Sequence, residues 1–306
     1  MIYTVTLNPA IDCTVALDKL NIGSVNRCSS QHMTFGGKGL NVSSILCELG
    51  IPTKALGFCA GFTGAAIVQM LEQRGIQSDF VQLASGLSRI NVKIKTDDET
   101  EINACGPDIS AQELDEFFAK LSQIGSGDTA VLAGSIPKSL DDSIYEQILQ
   151  RLADRDIKTV VDAEGGLLAR VLRFRPFLIK PNIYELEQLF GESVSDDGQV
   201  TELARCLRKA GARNVLVSMG KDGSLLVDEN DVVHRLGVCS GTVVSSVGAG
   251  DSMVAGFLAG CEKTDDYEFS ARLATACGGA TAFSEGTAKQ ELIFELFRQL
   301  EAGNKR

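Results

Sequence analysis

Apolar residues along this chain switch repeatedly between two spacings. Short apolar runs have the length of buried strands: Ile2-Tyr3-Thr4-Val5-Thr6-Leu7, Lys54–Gly57, Thr129–Ala133, Thr159-Val160-Val161, Phe177-Leu178-Ile179 and Val215-Leu216-Val217. Between them, apolar positions recur every three or four residues, as in Val42, Ile45, Leu46 and Leu49, or Leu114, Phe117, Phe118 and Leu121. Ile144, Ile148 and Leu152, and then Leu203 and Leu207, continue that helical spacing. Regular strand–helix alternation predicts an α/β domain built on a doubly wound, mostly parallel sheet with helices on both faces.

Two segments, about 13–33 and 86–105, break the alternation. Both carry strand patterns and turn signals without a crossover helix, notably Arg89-Ile90-Asn91-Val92-Lys93-Ile94-Lys95 and Thr100–Ala104 around Asp97-Asp98. They predict one small antiparallel sheet standing off the main domain as a lid, whose face or edge suits pairing with a second subunit. Lys93 is taken as a surface lysine. Near the C-terminus, Thr242-Val243-Val244 has strand character, and a small-residue loop then opens the helix that carries Met253, Val254, Phe257, Leu258 and Cys261.

Composition narrows the possible partners. The net charge of -11 argues against a nucleic-acid or anionic-membrane surface, so any site for a phosphorylated ligand must be locally basic. None of the nine cysteines falls in a Cys-x-x-Cys pair, which favours reduced core thiols over metal clusters. With Met1 leading straight into a strand and no long apolar run, a cytoplasmic location is expected. The two histidines, His32 and His234, have no evident partner, so a histidine-based mechanism is not expected.

In such sheets ligands bind beyond the carboxyl ends of the strands. Asn8 to Asp12, Gly134-Ser135, Asp162, Lys180 to Asn182, Ser218 to Gly220 and Gly248 to Asp251 all stand there in this reading. Ser245-Ser246-Val247-Gly248-Ala249-Gly250-Asp251-Ser252 places bare N–H groups at a helix N-terminus, a setting that suits an anion and keeps Asp251 ionised. An Asp capping a helix after a Gly-rich turn fits the same residues. In Gly36-Gly37-Lys38-Gly39-Leu40-Asn41, the glycines allow close approach to a sugar, Lys38 can neutralise a phosphate and Asn41 can bind hydroxyls. This is not a Walker A loop, and a helix cap also explains it.

Together the two glycine stretches, in this order and separation, resemble the two signatures of the ribokinase-like (PfkB) family of carbohydrate kinases. The resemblance covers essentially the whole chain, 1–306, and implies a ribokinase-like fold with a β lid at the two interruptions. It also implies ATP and Mg²⁺ as cofactors and a small sugar phosphate as acceptor. Thr6-Leu7-Asn8-Pro9-Ala10-Ile11-Asp12, Arg89–Ile94, Thr100–Asn103 and Gly106-Pro107 are similar to the branch that phosphorylates ketohexose phosphates. The expected acceptor is the C6 hydroxyl of fructose 1-phosphate, with the C1 hydroxyl of tagatose 6-phosphate as the alternative. A non-catalytic sugar-phosphate sensor is the competing class.

By the same resemblance, Asp251 is the base, and Gly248, Ala249 and Gly250 hold the transferring phosphoryl through N–H groups. Asp12, Gly37 and Asn41 bind sugar hydroxyls, Lys38 and Arg89 the existing phosphate, and Asn103, Cys105 and Ser135 line the sugar pocket. Lys180, Asn182, Glu185, Ser218, Gly220, Gly223 and Ser246 serve the nucleotide, with Glu185 organising Mg²⁺ through water and Cys277 edging the adenine beside Ala274 and Ser284. A homodimer through the lid sheet is expected.

Overall fold

The computed structural model describes residues 1–163 and 165–303. The chain begins with β1 (Ile2–Thr6), whose residues are all buried because both faces of the strand are covered. Two lid strands follow, β2 (Ala10–Ala16) and β3 (Ser30–Gly36), then α1 (Lys38–Glu48), β4 (Thr53–Ala60), α2 (Gly61–Gln73) and β5 (Gln77–Leu83). The other lid strands are β6 (Arg89–Lys95) and β7 (Glu99–Ile102). Beyond them come α3 (Ala111–Lys120), β8 (Thr129–Ala133), α4 (Ile144–Leu152), β9 (Lys158–Asp162) and α5 (Gly165–Val171). Next are β10 (Leu178–Ile179), α6 (Ile183–Phe190), α7 (Asp197–Ala210), β11 (Asn214–Ser218), β12 (Ser224–Val227) and β13 (Val233–Leu236). Three helices close the described chain: α8 (Ala249–Lys263), α9 (Tyr267–Ala282) and α10 (Gln290–Gly303).

The main sheet runs β13-β12-β11-β10-β9-β8-β1-β4-β5. It is parallel from β11 to β5 and antiparallel only at the β12 and β13 hairpin. Side chains alternate across it. Tyr3, Val5, Ala130 and Leu132 enter one core with Phe117, Ile148 and Leu207, while Ile2, Val131 and Val160 enter the other with Ile45, Phe257 and Leu296. After β1 the chain first builds outward through β4 and β5, then returns to add β8, β9 and β10 on β1's other side. This reversal opens a crevice beyond the carboxyl ends of β1 and β8, the switch point at which open α/β sheets take ligands.

The doubly wound sheet and the two-segment lid agree with the sequence pattern, with three corrections. Thr242-Val243-Val244 is not a strand. The Val244 and Ser245 N–H groups both donate to the Ala282 carbonyl, at 2.8 and 3.2 Å, so this stretch is pinned to the end of α9 instead of joining a sheet. The lid is a mixed sheet of order β3-β2-β6-β7, because β2 and β6 run parallel. Two short helices, α5 and α6, also escaped the pattern, each being too brief to repeat an apolar stripe.

Candidate active site

A single cavity of about 1400 Å³ runs along this crevice, between the lid and the start of α8. At its catalytic end Gly248 begins α8 in the left-handed region, with φ 78, and no side chain caps the helix. Ala249 donates to the Ser246 carbonyl at 3.3 Å, and the next N–H groups, of Gly250 and Asp251, belong to the first turn, where helices lack internal acceptors. A Cβ on Gly250 would lie 2.9 Å from Lys180 Nζ. The bare backbone at 250 therefore lets an ammonium reach the helix start, combining a point charge with N–H donors.

Two strand ends and two helix starts bring the charges together. Lys180, after β10, and Asp162, ending β9, are both buried. Lys180 Nζ lies 3.7 Å from Asp162 Oδ1, and Lys38 Nζ, from the start of α1, lies 3.5 Å from Asp162 Oδ2. Burial opposes ionisation of Asp162, but the two ammoniums outweigh it and hold its carboxyl below the ordinary range. Asp251 shows the opposite balance. Burial and the negative charge of Asp162 push its pKa up to about 6, against a hydrogen bond from Asn41 and the charges of Lys38 and Lys180. Desolvation thus works against the helix field that was expected to keep Asp251 ionised.

Asn41, on the first turn of α1, donates from Nδ2 to Asp251 Oδ2 at 2.8 Å, which orients the carboxylate. Lys38 pairs with Asp162, whereas Arg89, its expected companion on the sugar phosphate, bonds the Asn8 and Ala104 carbonyls. Glu185 sits in the first turn of α6, where its Oε2 accepts the Asn182 N–H at 2.8 Å and the Asn182 side chain accepts the Glu185 N–H in return. Burial raises its pKa, while that N–H and Lys180 oppose the shift.

At the lid end, β2 and β6 face the cavity with Asp12, Arg89, Asn91 and Lys93. Arg89 donates from Nε to the Asn8 carbonyl at 3.1 Å and from NH1 towards the Ala104 carbonyl at 3.5 Å. Lys93 is not a surface lysine. It is 12% exposed, and its Nζ lies 3.0 Å from Asp12 Oδ2 and 3.9 Å from a Glu101 oxygen. Asn103 donates to Glu101 at 3.2 Å, and Gly37 and Ser135 also line the cavity.

On the opposite flank, Ser218, Gly220, Gly223 and Ser246 line the same space, and Asn182 bridges to Ser218 in parallel register. Cys277 does not. It is fully buried where α8 and α9 touch, and a Cβ on Gly256 would meet its Sγ at 2.8 Å. The small residues of α9 are there for close helix packing, and the cavity meets its neighbours Gly278 and Gly279.

A glycine-opened helix start with a buried carboxylate in its first turn, two lysines beside it and a lid with further cations is an arrangement for moving a phosphoryl group to a hydroxyl. Comparison with known families gives the same direction, because the model for "pfkB family carbohydrate kinase" matches residues 5–292. This chain belongs to that family. The kinase is 42% identical to a 1-phosphofructokinase of Bacillus subtilis, over 98% of this chain and 99% of that one. It is 36% identical to a D-tagatose-1-phosphate kinase of Bacillus licheniformis, with 98% and 99% covered. Among solved structures, the kinase superposes with a TM-score of 0.93 on phosphofructokinase-2 from Escherichia coli in complex with substrates and products, at 25% identity over 98% of this chain and 99% of that chain.

Several residues of this kinase's site had no assigned role in the sequence. Asp162 was visible only as a polar strand end. Asn91, Lys93 and Glu101 carried a clearer signal: Arg89, Asn91 and Lys93 alternate with Ile90, Val92 and Ile94, so one face of the strand is wholly polar. A polar face turned to a cavity and one turned to solvent look identical in sequence.

Proposed function

We propose that this kinase transfers the γ-phosphoryl group of ATP to the C6 hydroxyl of fructose 1-phosphate, giving fructose 1,6-bisphosphate. The supporting observation is the polarity of the cavity: one end holds a base beside an anion hole, and the lid end holds Arg89. A ketohexose carrying a phosphate at one end and a primary hydroxyl at the other matches that layout. The similarity to the 1-phosphofructokinase of B. subtilis supports the same reading.

In this reading Asp251 accepts the hydroxyl proton as the O–P bond forms, and Asn41 holds the carboxylate in line. The N–H groups of the Gly248–Gly250 turn receive the charge of the transferring group, and so do Lys180 and Lys38. Lys38 is reassigned from the sugar phosphate to this group, because Asp162 anchors it at the catalytic end. Asp12 binds sugar hydroxyls, and Arg89 the existing phosphate. Ser218, Gly220, Gly223 and Ser246 flank the nucleotide. Glu185 fits a water-mediated role towards Mg²⁺: one oxygen is fixed on the Asn182 N–H, leaving Oε1 for a hydrated ion. When bound, the metal would neutralise phosphate charge.

The test is a coupled ADP-release assay with Mg-ATP and fructose 1-phosphate, tagatose 6-phosphate, tagatose 1-phosphate and fructose 6-phosphate in parallel. The highest kcat/KM is expected for fructose 1-phosphate. A preference for any other of the four refutes the acceptor named here, and no turnover of any refutes the acceptor class.

A further inference from the structure

Lys93 and Asn91 hold a single carboxylate from two sides. Asp12, on the central lid strand β2, stands in register with Asn91 on β6, and Lys93 is its diagonal neighbour two positions on. Such a diagonal lies within reach of a long side chain. Asn91 Nδ2 donates to Asp12 Oδ1 at 2.9 Å, and Lys93 Nζ approaches Oδ2 at 3.0 Å. Each oxygen therefore has its own donor, and the carboxylate plane is set. The third side is closed by backbone: a Cβ on Gly36 of β3 would lie within 2.6 Å of three Asp12 carboxylate atoms.

We propose that Lys93, together with Asn91, is a positioning residue that locks the Asp12 carboxylate in one orientation, so that its remaining lone pairs receive sugar hydroxyls. This rests on the reading of Asp12 as a sugar ligand given above. A carboxylate offers about four acceptor sites, and two are taken by the lid itself. The two left over, fixed in direction, suit a pair of neighbouring hydroxyls on one substrate. A freely turning carboxylate would have to be ordered at each binding event, which weakens affinity without altering the chemical step.

Lys93 is a support for Asp12 and not a ligand of the substrate phosphate. Its ammonium is held between two acidic side chains, Asp12 and Glu101, which leaves Arg89 as the lid cation whose hydrogen bonds, among the described residues, go to backbone carbonyls.

A double-mutant cycle on the full-length enzyme tests this, using Lys93→Met, Asp12→Asn and the pair. Wild-type turnover of the four sugar phosphates is measured first, so a wrong acceptor shows itself there. The cycle is then run with the acceptor turned over fastest, or on sugar-phosphate binding by calorimetry if none is. Lys93→Met is expected to raise KM for that sugar phosphate by ~10-fold or more, with KM for ATP unchanged and kcat reduced less. In the Asp12→Asn background the same change should add less than about 2-fold. Lys93→Gln, which keeps a donor, should recover part of the loss and guards against a folding defect in the Met variant. Additive effects of the two substitutions would overturn the inference, because Lys93 would then act on the substrate independently of Asp12. A parallel rise in the KM for ATP would overturn it as well.

Discussion

Asn41 and Asp251 lie 210 positions apart in sequence, yet Asn41 Nδ2 donates to Asp251 Oδ2 at 2.8 Å. The bond joins the first turns of α1 and α8, the two helices opened by the two glycine stretches. It also opposes the burial that, on balance, leaves the Asp251 pKa raised to about 6. If Asp251 is the base, its protonation should change just below neutral pH.

The first prediction concerns this titration. Asp251 must be ionised to accept a proton, so kcat/KM should fall with unit slope as pH drops through about 6. A phosphate ester also titrates near there, so a variant separates the two. Asn41→Leu removes a bond that favours the carboxylate, and should therefore move the acidic limb to higher pH. Rates measured from pH 5 to 9 check this; a limb that stays put belongs to the substrate.

Asp251→Asn should lower kcat by ~10²–10⁴-fold while sugar-phosphate binding survives. It should also stabilise the protein. The folded-state pKa of Asp251 is raised from 3.8, so its contribution favours the fold at low pH and is lost as pH rises through about 6. A shift of this size corresponds to about 3 kcal/mol at most above neutral pH. Thermal melts at pH 8 should show the variant more stable than wild type, and the gain should vanish near pH 4. Equal melting at both values would refute the burial argument.

Gly250→Ala tests the anion hole. The new Cβ would come 2.9 Å from Lys180 Nζ and 3.1 Å from Cε, and Lys180 is tied to Asp162. The ammonium must withdraw from the helix start, so kcat should fall by ~10²-fold with little change in KM for the sugar phosphate. An unchanged kcat would mean that Lys180 has no part in the chemical step.

How much of this was legible in the sequence depends on whether a feature is local. Strand β8 is buried on both faces and stands out as an apolar run, and α3 announces itself through Leu114, Phe117, Phe118 and Leu121 at helical spacing. The turn that opens α8 was legible because Gly248 takes a left-handed φ of 78 and Gly250 leaves room for the end of Lys180. The direction of β6 in the lid was not, since parallel and antiparallel strands carry the same alternation. Nor was the raised pKa of Asp251, which comes from burial and from Asp162, a residue brought near only by folding. Cys277 went astray for a similar reason, as small residues on α9 suit both a ligand edge and the close approach of α8.

The lid sheet carries the last prediction, the homodimer. Met33, Cys13, Val92 and Ile102 follow one another in register across β3, β2, β6 and β7, and so share one face of the sheet. Adjacent residues on each strand point to opposite faces, so this row lies away from Asp12, Asn91 and the cavity. Met33 and Ile102, at its two ends, are 52% and 58% exposed. Apolar ends on a small sheet are better covered than wet, and a second lid would cover them. Met33→Glu with Ile102→Glu should then convert the dimer to monomer in sedimentation velocity. Wild type sedimenting as a monomer at micromolar concentration would refute the lid pairing. Because Lys93 and Asn91 hold Asp12 from the opposite face of the same strands, the monomer should also show a raised KM for the sugar phosphate: a lid without its partner holds β6 less firmly against β2.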